Sequence, residues 1–281
     1  MSVSVTKKRP LVLVGAGKMG GAMLQGWLAK GLPDGAVHVI DPGLDEAQSQ
    51  TLRDQGVAVH GVPDEVPTPA LLMLAIKPQM MEKVLPGLAA FAGRSDAADM
   101  IVLSVAAGTT IATLSATFGS DAMVIRAMPN TPALVGRGVT ALFPAYPLSD
   151  ERKRFIADLM AAIGTVVWVD SEAAINVVTA VSGSGPAYVF HLVEAMAAAG
   201  KKLGLPEDVA MILARETVAG AGELLHQSSD SAETLRVNVT SPKGTTAAGL
   251  DVLMAEDGLP PLIEKTIRAA HRRAIELGLE R

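Results

Sequence analysis

Residues 15–20, Gly-Ala-Gly-Lys-Met-Gly, place three glycines at the spacing G-x-G-x-x-G between a short apolar run and a helical pattern. Gly15 permits a tight turn, Gly17 lets a pyrophosphate approach the backbone, and Gly20 lets helix and strand lie close together. Phosphates would then rest on the N–H groups that open the helix, where the dipole favours negative charge. Asp41 stands 21 residues beyond Gly20, at the end of the next apolar run, where an acid reaches the ribose hydroxyls of a dinucleotide. A carboxylate there would also face the 2′-phosphate of NADPH, so it predicts use of NADH at least as well as NADPH. The alternative is an ordinary doubly wound domain with a glycine turn and a strand-end acid.

Four further stretches have chemistry-bearing types. Ala75-Ile76-Lys77-Pro78 follows a buried run, and the proline forces Lys77 extended, near a nicotinamide ribose or simply into solvent. Residues 128–132, Met-Pro-Asn-Thr-Pro, bracket Asn130 between prolines, a rigidity that suits a pocket wall or a turn between domains. Residues 182–186, Ser-Gly-Ser-Gly-Pro, put Ser184 between glycines that break a helix, with Pro186 in the next helix's first turn. Residues 240–246, Thr-Ser-Pro-Lys-Gly-Thr-Thr, form a polar turn between alanine-rich stretches. There the N–H groups of Gly244, Thr245 and Thr246, with the hydroxyls of Ser241, Thr245 and Thr246, make an anion site for a carboxylate or else a capped turn.

The elements that must position these groups fall into two halves. Apolar runs at 11–14, 36–40, 57–62, 71–76, 100–108 and 123–128 alternate with helical segments at 80–91 and 110–118, which argues for a parallel sheet covered on both faces. Ligands lie beyond the carboxyl ends of such strands, so the loops carrying Lys77, Ala106-Ala107-Gly108 and Asn130 converge on one crevice. A capped amphipathic helix follows Ser149, and residues 165–169 read as the last strand. From there the chain is alanine-rich, with helical runs at 173–181, 186–203, 206–226, 232–238, 246–255 and 260–277. The expected architecture is an α/β Rossmann-type dinucleotide-binding domain, residues 1–168, followed by an all-α helical substrate and dimerisation domain, residues 169–281. The apolar helical faces need covering, and a homodimer is the economical solution.

Composition narrows the function. The net charge of −5, from 24 basic and 29 acidic residues, gives no field for nucleic acid or an anionic membrane. With no cysteine there is neither thiolate chemistry nor a disulfide. The five histidines lack ligand spacing, so no metal is expected; His191 and Glu194 can pair on one helix, or His191 is a buried, satisfied ring. The leader at residues 1–10 lacks the apolar core of a secretory signal, and residues 173–200 read as a buried helix pair interrupted by glycines and a proline. A cytoplasmic protein is expected.

Taken in order, residues 15–20, 75–78, 126–132, 182–188 and 241–246 resemble the pyrroline-5-carboxylate reductases along nearly the whole chain. The resemblance implies reduction of the cyclic imine 1-pyrroline-5-carboxylate to L-proline by NADPH or NADH. Together with the spacing and strand-end readings above, which add Asp41, Ala106, Ala107 and Gly108, it places the cofactor on Gly15, Ala16, Gly17, Lys18, Met19, Gly20, Ala75, Ile76, Lys77, Pro78 and Asn130. The substrate falls to Ser184, Ser241, Gly244, Thr245 and Thr246, with Thr246 as the hydroxyl facing the ring nitrogen. It further implies interleaved homodimers, assembled into a decamer-like ring. The chain departs from the family's usual pattern at Lys243, where a glycine is customary, at Val237, where an acid is frequent, and at Asp41, where many NADPH-preferring relatives carry a hydroxyl or basic residue. Two other readings share the architecture. A 3-hydroxyacid dehydrogenase needs a lysine on the long inter-domain helix, which residues 173–200 lack; a non-catalytic dinucleotide sensor would bind cofactor without turnover.

Overall fold

The computed structural model describes residues 5–279; the first four residues of the leader lie outside the described residues. By internal contacts the chain forms two compact units, one running through Gly183 and resumed from His271, the other Ser184–Ala270.

In the first unit the strands are β1 (Leu11–Val14), β2 (Val37–Ile40), β3 (Ala58–His60), β4 (Leu71–Leu74), β5 (Ile101–Ser104), β6 (Met123–Met128), β7 (Gly138–Pro144) and β8 (Gly164–Trp168). They form one sheet in the order β3-β2-β1-β4-β5-β6-β7-β8. The helices α1 (Lys18–Ala29), α2 (Glu46–Asp54), α3 (Met81–Leu88), α4 (Ile111–Phe118), α5 (Asp150–Met160) and α6 (Glu172–Val178) accompany them. Strands β1, β2, β4 and β5 are buried at all four positions, as continuous apolar runs demand when helices cover both faces. Alternate side chains feed two cores. Leu11, Leu13, Val39 and Met73 pack with Trp27 and Met160, while Val12, Val14, Leu72 and Leu74 pack with Leu85 and Phe91. Trp27 donates its Nε1–H to the Leu159 carbonyl at 3.0 Å, so even the largest buried side chain of α1 has a polar partner.

Two features differ from the sequence-based expectation. The apolar-run pattern misses β7, and the sheet is not wholly parallel: β7 pairs antiparallel with β6 and parallel with β8. A run of apolar residues reports burial but not strand direction, which the connection decides. Second, the expected change of helix at the glycines of residues 182–185 is preceded by a π-helical turn. That turn, Thr179–Gly183, follows α6, and α7 (Gly185–Lys202) begins after its N-cap Ser184 with Pro186 in the first turn. The Thr179 and Ser182 hydroxyls donate to the Ile175 and Val178 carbonyls at 2.8 and 3.1 Å, supplying partners where the regular ladder slips.

The second unit contains α7, α8 (Glu207–Gln227), α9 (Ala232–Asn238), α10 (Thr245–Leu253) and most of α11 (Leu259–Leu279). The expected buried helix pair is instead exposed in the single chain: only 11% of the most apolar window within Glu172–Lys202 is buried. His191 is likewise exposed and pairs with Glu194, Nδ1 to Oε2 2.9 Å, rather than lying in a core. Apolar side chains on α7 and α8 stand open, among them Phe190 at 64% and Ile212 at 59% exposure.

Candidate active site

The strand order reverses between β1 and β4, and the crevice beyond their carboxyl ends is where a doubly wound sheet takes its ligand. A cavity of about 780 Å³ opens there, walled by the glycine loop, the ends of β2 and β4, and α3.

The three glycines of the loop divide its duties. Gly15 has φ +90°, the left-handed region that L side chains avoid, and a Cβ there would press on Ile76 and the Ala75 carbonyl. A Cβ on Gly20 would collide with the Gly15 carbonyl oxygen, so Gly20 is what lets α1 approach the loop. Around Gly17 the added carbon would meet nothing within 4 Å. Gly17 is therefore bare for the sake of the crevice it lines. It is also the N-cap of α1 without any side-chain cap, leaving first-turn N–H groups for an anion.

Asp41 lines the crevice at the end of β2. Its Oδ2 accepts from the Ala16 N–H at 2.8 Å and its Oδ1 from the Gly43 N–H at 2.9 Å, tying the end of β2 to the glycine loop. Ala75, Ile76 and Lys77 line the opposite wall, and Pro78 starts a short 3-10 turn that leads into α3. A nicotinamide dinucleotide suits these groups: unobstructed N–H groups for the phosphates, a fixed carboxylate for ribose hydroxyls, and apolar walls such as Val62 and Val84 for the base.

Other residues assigned to the cofactor from sequence stand differently. The Asn130 amide is committed at both ends, Nδ2 to the Ser182 carbonyl at 3.1 Å and Oδ1 to the Val139 N–H at 2.9 Å. These bonds staple the proline-bracketed loop to β7 and to the π turn. Lys18 lines a separate cleft with Ala133 and Leu134, and Met19 packs against the core. Ala106 is buried beside Ser104, whose Oγ accepts its N–H at 3.3 Å. Gly108, with φ +74°, comes against the Leu277 carbonyl, so its missing side chain serves packing.

Sequence reasoning missed the charge pair that supports this face. Arg126, its side chain 5% exposed, meets Glu172 at 2.9 Å, and the same Glu172 oxygen accepts the Ile111 N–H at 2.8 Å at the start of α4. An arginine inside an apolar strand was the available signal, since a buried guanidinium requires an acid.

In the second unit, the turn at residues 241–246 leads into α10 with Gly244 as N-cap. One part of the expected anion site is absent: the Gly244 N–H donates to the Ser241 carbonyl at 3.0 Å, closing the turn. The Thr245 and Thr246 N–H groups remain at the helix opening, and both side chains are exposed. A Cβ on Gly244 would meet the Ser241 hydroxyl, which would have to rotate away, and would come within 3.1 Å of the Ser241 carbonyl oxygen. Lys243 has φ 60°, the only non-glycine left-handed residue among the described residues. The position favours glycine, and lysine holds it at a cost of about 1 kcal/mol. Ser184 opens the second unit, just ahead of α7.

Comparison with known proteins agrees with this construction. The chain matches the family description "NADP oxidoreductase coenzyme F420-dependent" over residues 10–121 and "Pyrroline-5-carboxylate reductase dimerisation" over residues 172–277. It is 36% identical over 275 residues to a pyrroline-5-carboxylate reductase of Pasteurella multocida, covering 96% of this chain and 98% of the relative. A Pseudomonas aeruginosa protein of the same name is 36% identical over 267 residues, covering 95% and 96%. Among solved structures, a pyrroline-5-carboxylate reductase of Coxiella burnetii superposes with a TM-score of 0.87 at 32% identity, covering 96% of this chain and 98% of the other. A Plasmodium falciparum pyrroline carboxylate reductase, solved with NADP bound, shares the fold at a TM-score of 0.77 and 24% identity, covering 97% and 99%. The chain belongs to the pyrroline-5-carboxylate reductase family.

Proposed function

We propose that the chain reduces 1-pyrroline-5-carboxylate to L-proline with NADPH or NADH. The observation that carries this reading is the match, over 96% of the chain, to relatives of that name on a fold whose switch-point crevice is shaped for a dinucleotide. The nicotinamide supplies a hydride when bound. The chain's own residues bind and orient: the first-turn N–H groups of α1 hold the phosphates, and Asp41 holds the adenosine ribose.

The Thr245 and Thr246 N–H groups at the start of α10 grip the substrate carboxylate, and the Thr246 hydroxyl faces the ring nitrogen. The imine carbon gains the hydride, the C=N electron pair returns to nitrogen, and the nitrogen keeps the proton it already carries as an iminium. No strong acid is required, which fits a substrate turn of serines and threonines. Orientation supplies most of the rate advantage. Oxidation of the reduced nicotinamide, followed by absorbance, should require the cyclic imine; oxidation without it, or none with it, refutes the reading. Cofactor binding without turnover would leave a dinucleotide sensor.

The exposed apolar side chains of α7 and α8 are covered by a second copy of the chain, and dimers assemble into a decamer-like ring. The matched dimerisation description supports the first step, as does the apolar area left open on the single chain. The same cover accounts for the long apolar helix without lipid, consistent with a cytoplasmic enzyme handling a small molecule. Native mass spectrometry in detergent-free buffer reads the copy number; a stable monomer overturns the proposal.

A further inference from the structure

Asp41 is held in a way that bears on which nicotinamide dinucleotide the chain accepts. Each carboxylate oxygen already accepts one backbone N–H, from Ala16 and from Gly43, and its own N–H donates to the His60 carbonyl at 3.1 Å. The side chain is therefore fixed toward the crevice and not free to swing out with the loop that follows Pro42. Each oxygen keeps a further lone pair, enough for two ribose hydroxyls.

Among the described residues no arginine lines the crevice, and its two lysines, Lys77 and Lys83, follow β4 and lie on α3. Among the described residues no cation pairs with Asp41. Lys18, the cation of the glycine loop, lines a different cleft. The nearest strand histidines are turned to one another, His38 Nδ1 to His60 Nε2 3.0 Å, with rings stacked at 5.1 Å. Burial keeps both below the ordinary histidine range, so they are neutral at physiological pH.

We propose that Asp41 selects the unphosphorylated adenosine ribose, so that the working reductant of this chain is NADH and not NADPH. The inference rests on the reading of the crevice as a dinucleotide site and goes beyond it. A doubly wound fold does not itself exclude a phosphorylated ribose, as the Plasmodium falciparum relative with bound NADP demonstrates. Discrimination must come from side chains at the end of β2. Repulsion between like charges about 4 Å apart is worth about fivefold in affinity in water and a hundredfold or more at a partly buried surface.

The test uses probes without nicotinamide, so it does not depend on the reaction. Calorimetric titration of the purified native protein with ADP-ribose and with 2′-phospho-ADP-ribose should show the unphosphorylated probe binding at least about tenfold tighter. Asp41→Asn keeps an oxygen for one backbone N–H and removes the charge; it should narrow that ratio severalfold. Asp41→Ser should narrow it further, and a thermal melt checks that both variants remain folded. Equal affinities in the native protein, or a ratio unmoved by Asp41→Asn, overturn the assignment to Asp41 while leaving the crevice a dinucleotide site. Failure of both probes to bind overturns the crevice reading and this proposal with it. The ratio of kcat/KM for NADH and NADPH should follow the binding ratio in the native protein and in Asp41→Asn.

Discussion

Replacing Gly17 and Gly20 in turn by alanine should separate binding from folding within one loop. At Gly17 the new methyl meets no atom within 4 Å, and φ is an unstrained −65°. The folded chain bears it at a cost of about 0.5–1 kcal/mol for alanine at an N-cap. About as much returns from the reduced freedom of the unfolded chain. The melting temperature should stay within about 3 °C of native. The methyl nevertheless projects into the crevice that Gly17 lines, where the pyrophosphate must approach the N–H groups of α1. Losing two charge-assisted hydrogen bonds at about 1.5–3 kcal/mol each weakens dinucleotide binding by a hundredfold or more, and valine should abolish it.

At Gly20 helix propensity favours alanine by about 1 kcal/mol. Space does not: the Cβ collides with the Gly15 carbonyl oxygen and comes within 3.3 Å of Ala75 Cβ. Because the obstacle is backbone, the helix must shift, and overpacking of this kind costs about 1–3 kcal/mol or more. Gly20→Ala should therefore melt several degrees lower, and any loss of affinity should accompany the loss of fold. Melting curves and titration with ADP-ribose, run on both variants, give the comparison. A folded Gly17→Ala that binds like the native protein would show that the phosphates do not lie on this loop. A Gly20→Ala of native stability would show that α1 is not held by that close approach.

Thr246→Ala should lower kcat/KM for the imine about ten- to a hundredfold, the worth of a hydrogen bond to a charged group, while ADP-ribose affinity stays native. An unchanged kcat/KM returns the turn before α10 to a purely structural role. Glu172→Ala strands the Arg126 guanidinium, and chemical denaturation should show a loss of about 3 kcal/mol; the double change Arg126→Met with Glu172→Leu should recover most of it. The two strand histidines make stability depend on pH. Burial lowers both from 6.5, with the Glu65 carboxylate working against it at His60, so below that value the unfolded chain binds more protons than the folded one. Their contribution is complete above about pH 6.5 and is lost as the pH falls through that value toward the lowered folded values. Melting temperature followed down that range should decline less steeply in His38→Gln with His60→Gln; an identical slope removes the pair from the account.

What can be read in a sequence depends on whether a residue's role is set by its neighbours in the chain or by a distant partner. The strands with continuous apolar runs, the glycine loop and Asp41 are legible because burial on both faces, positive φ and a strand-end position are local properties. Strand β7 is not, since its direction is set by pairing with β6 across a connection that begins with a proline-bracketed turn. The stretch Ser182-Gly183-Ser184-Gly185-Pro186 has every local mark of a helix break. One helix does give way to another there, but through a π-helical turn that no local mark announces: its Ser182 carbonyl accepts from Asn130, 52 residues earlier in the chain, and the Thr179 and Ser182 hydroxyls bond back to carbonyls of the preceding turn. The same bond holds the proline-bracketed loop of Asn130 to the π turn. Lys243 shows the converse case: nothing in its own local pattern announces a left-handed backbone. Space reserved for a ligand is written locally, in glycines whose absent side chains would meet nothing or too much. The polar groups that tie the loops and elements of this unit together are written in pairs far apart, as Arg126 with Glu172 and Asn130 with Ser182, and folding must bring them together before either residue acquires a role.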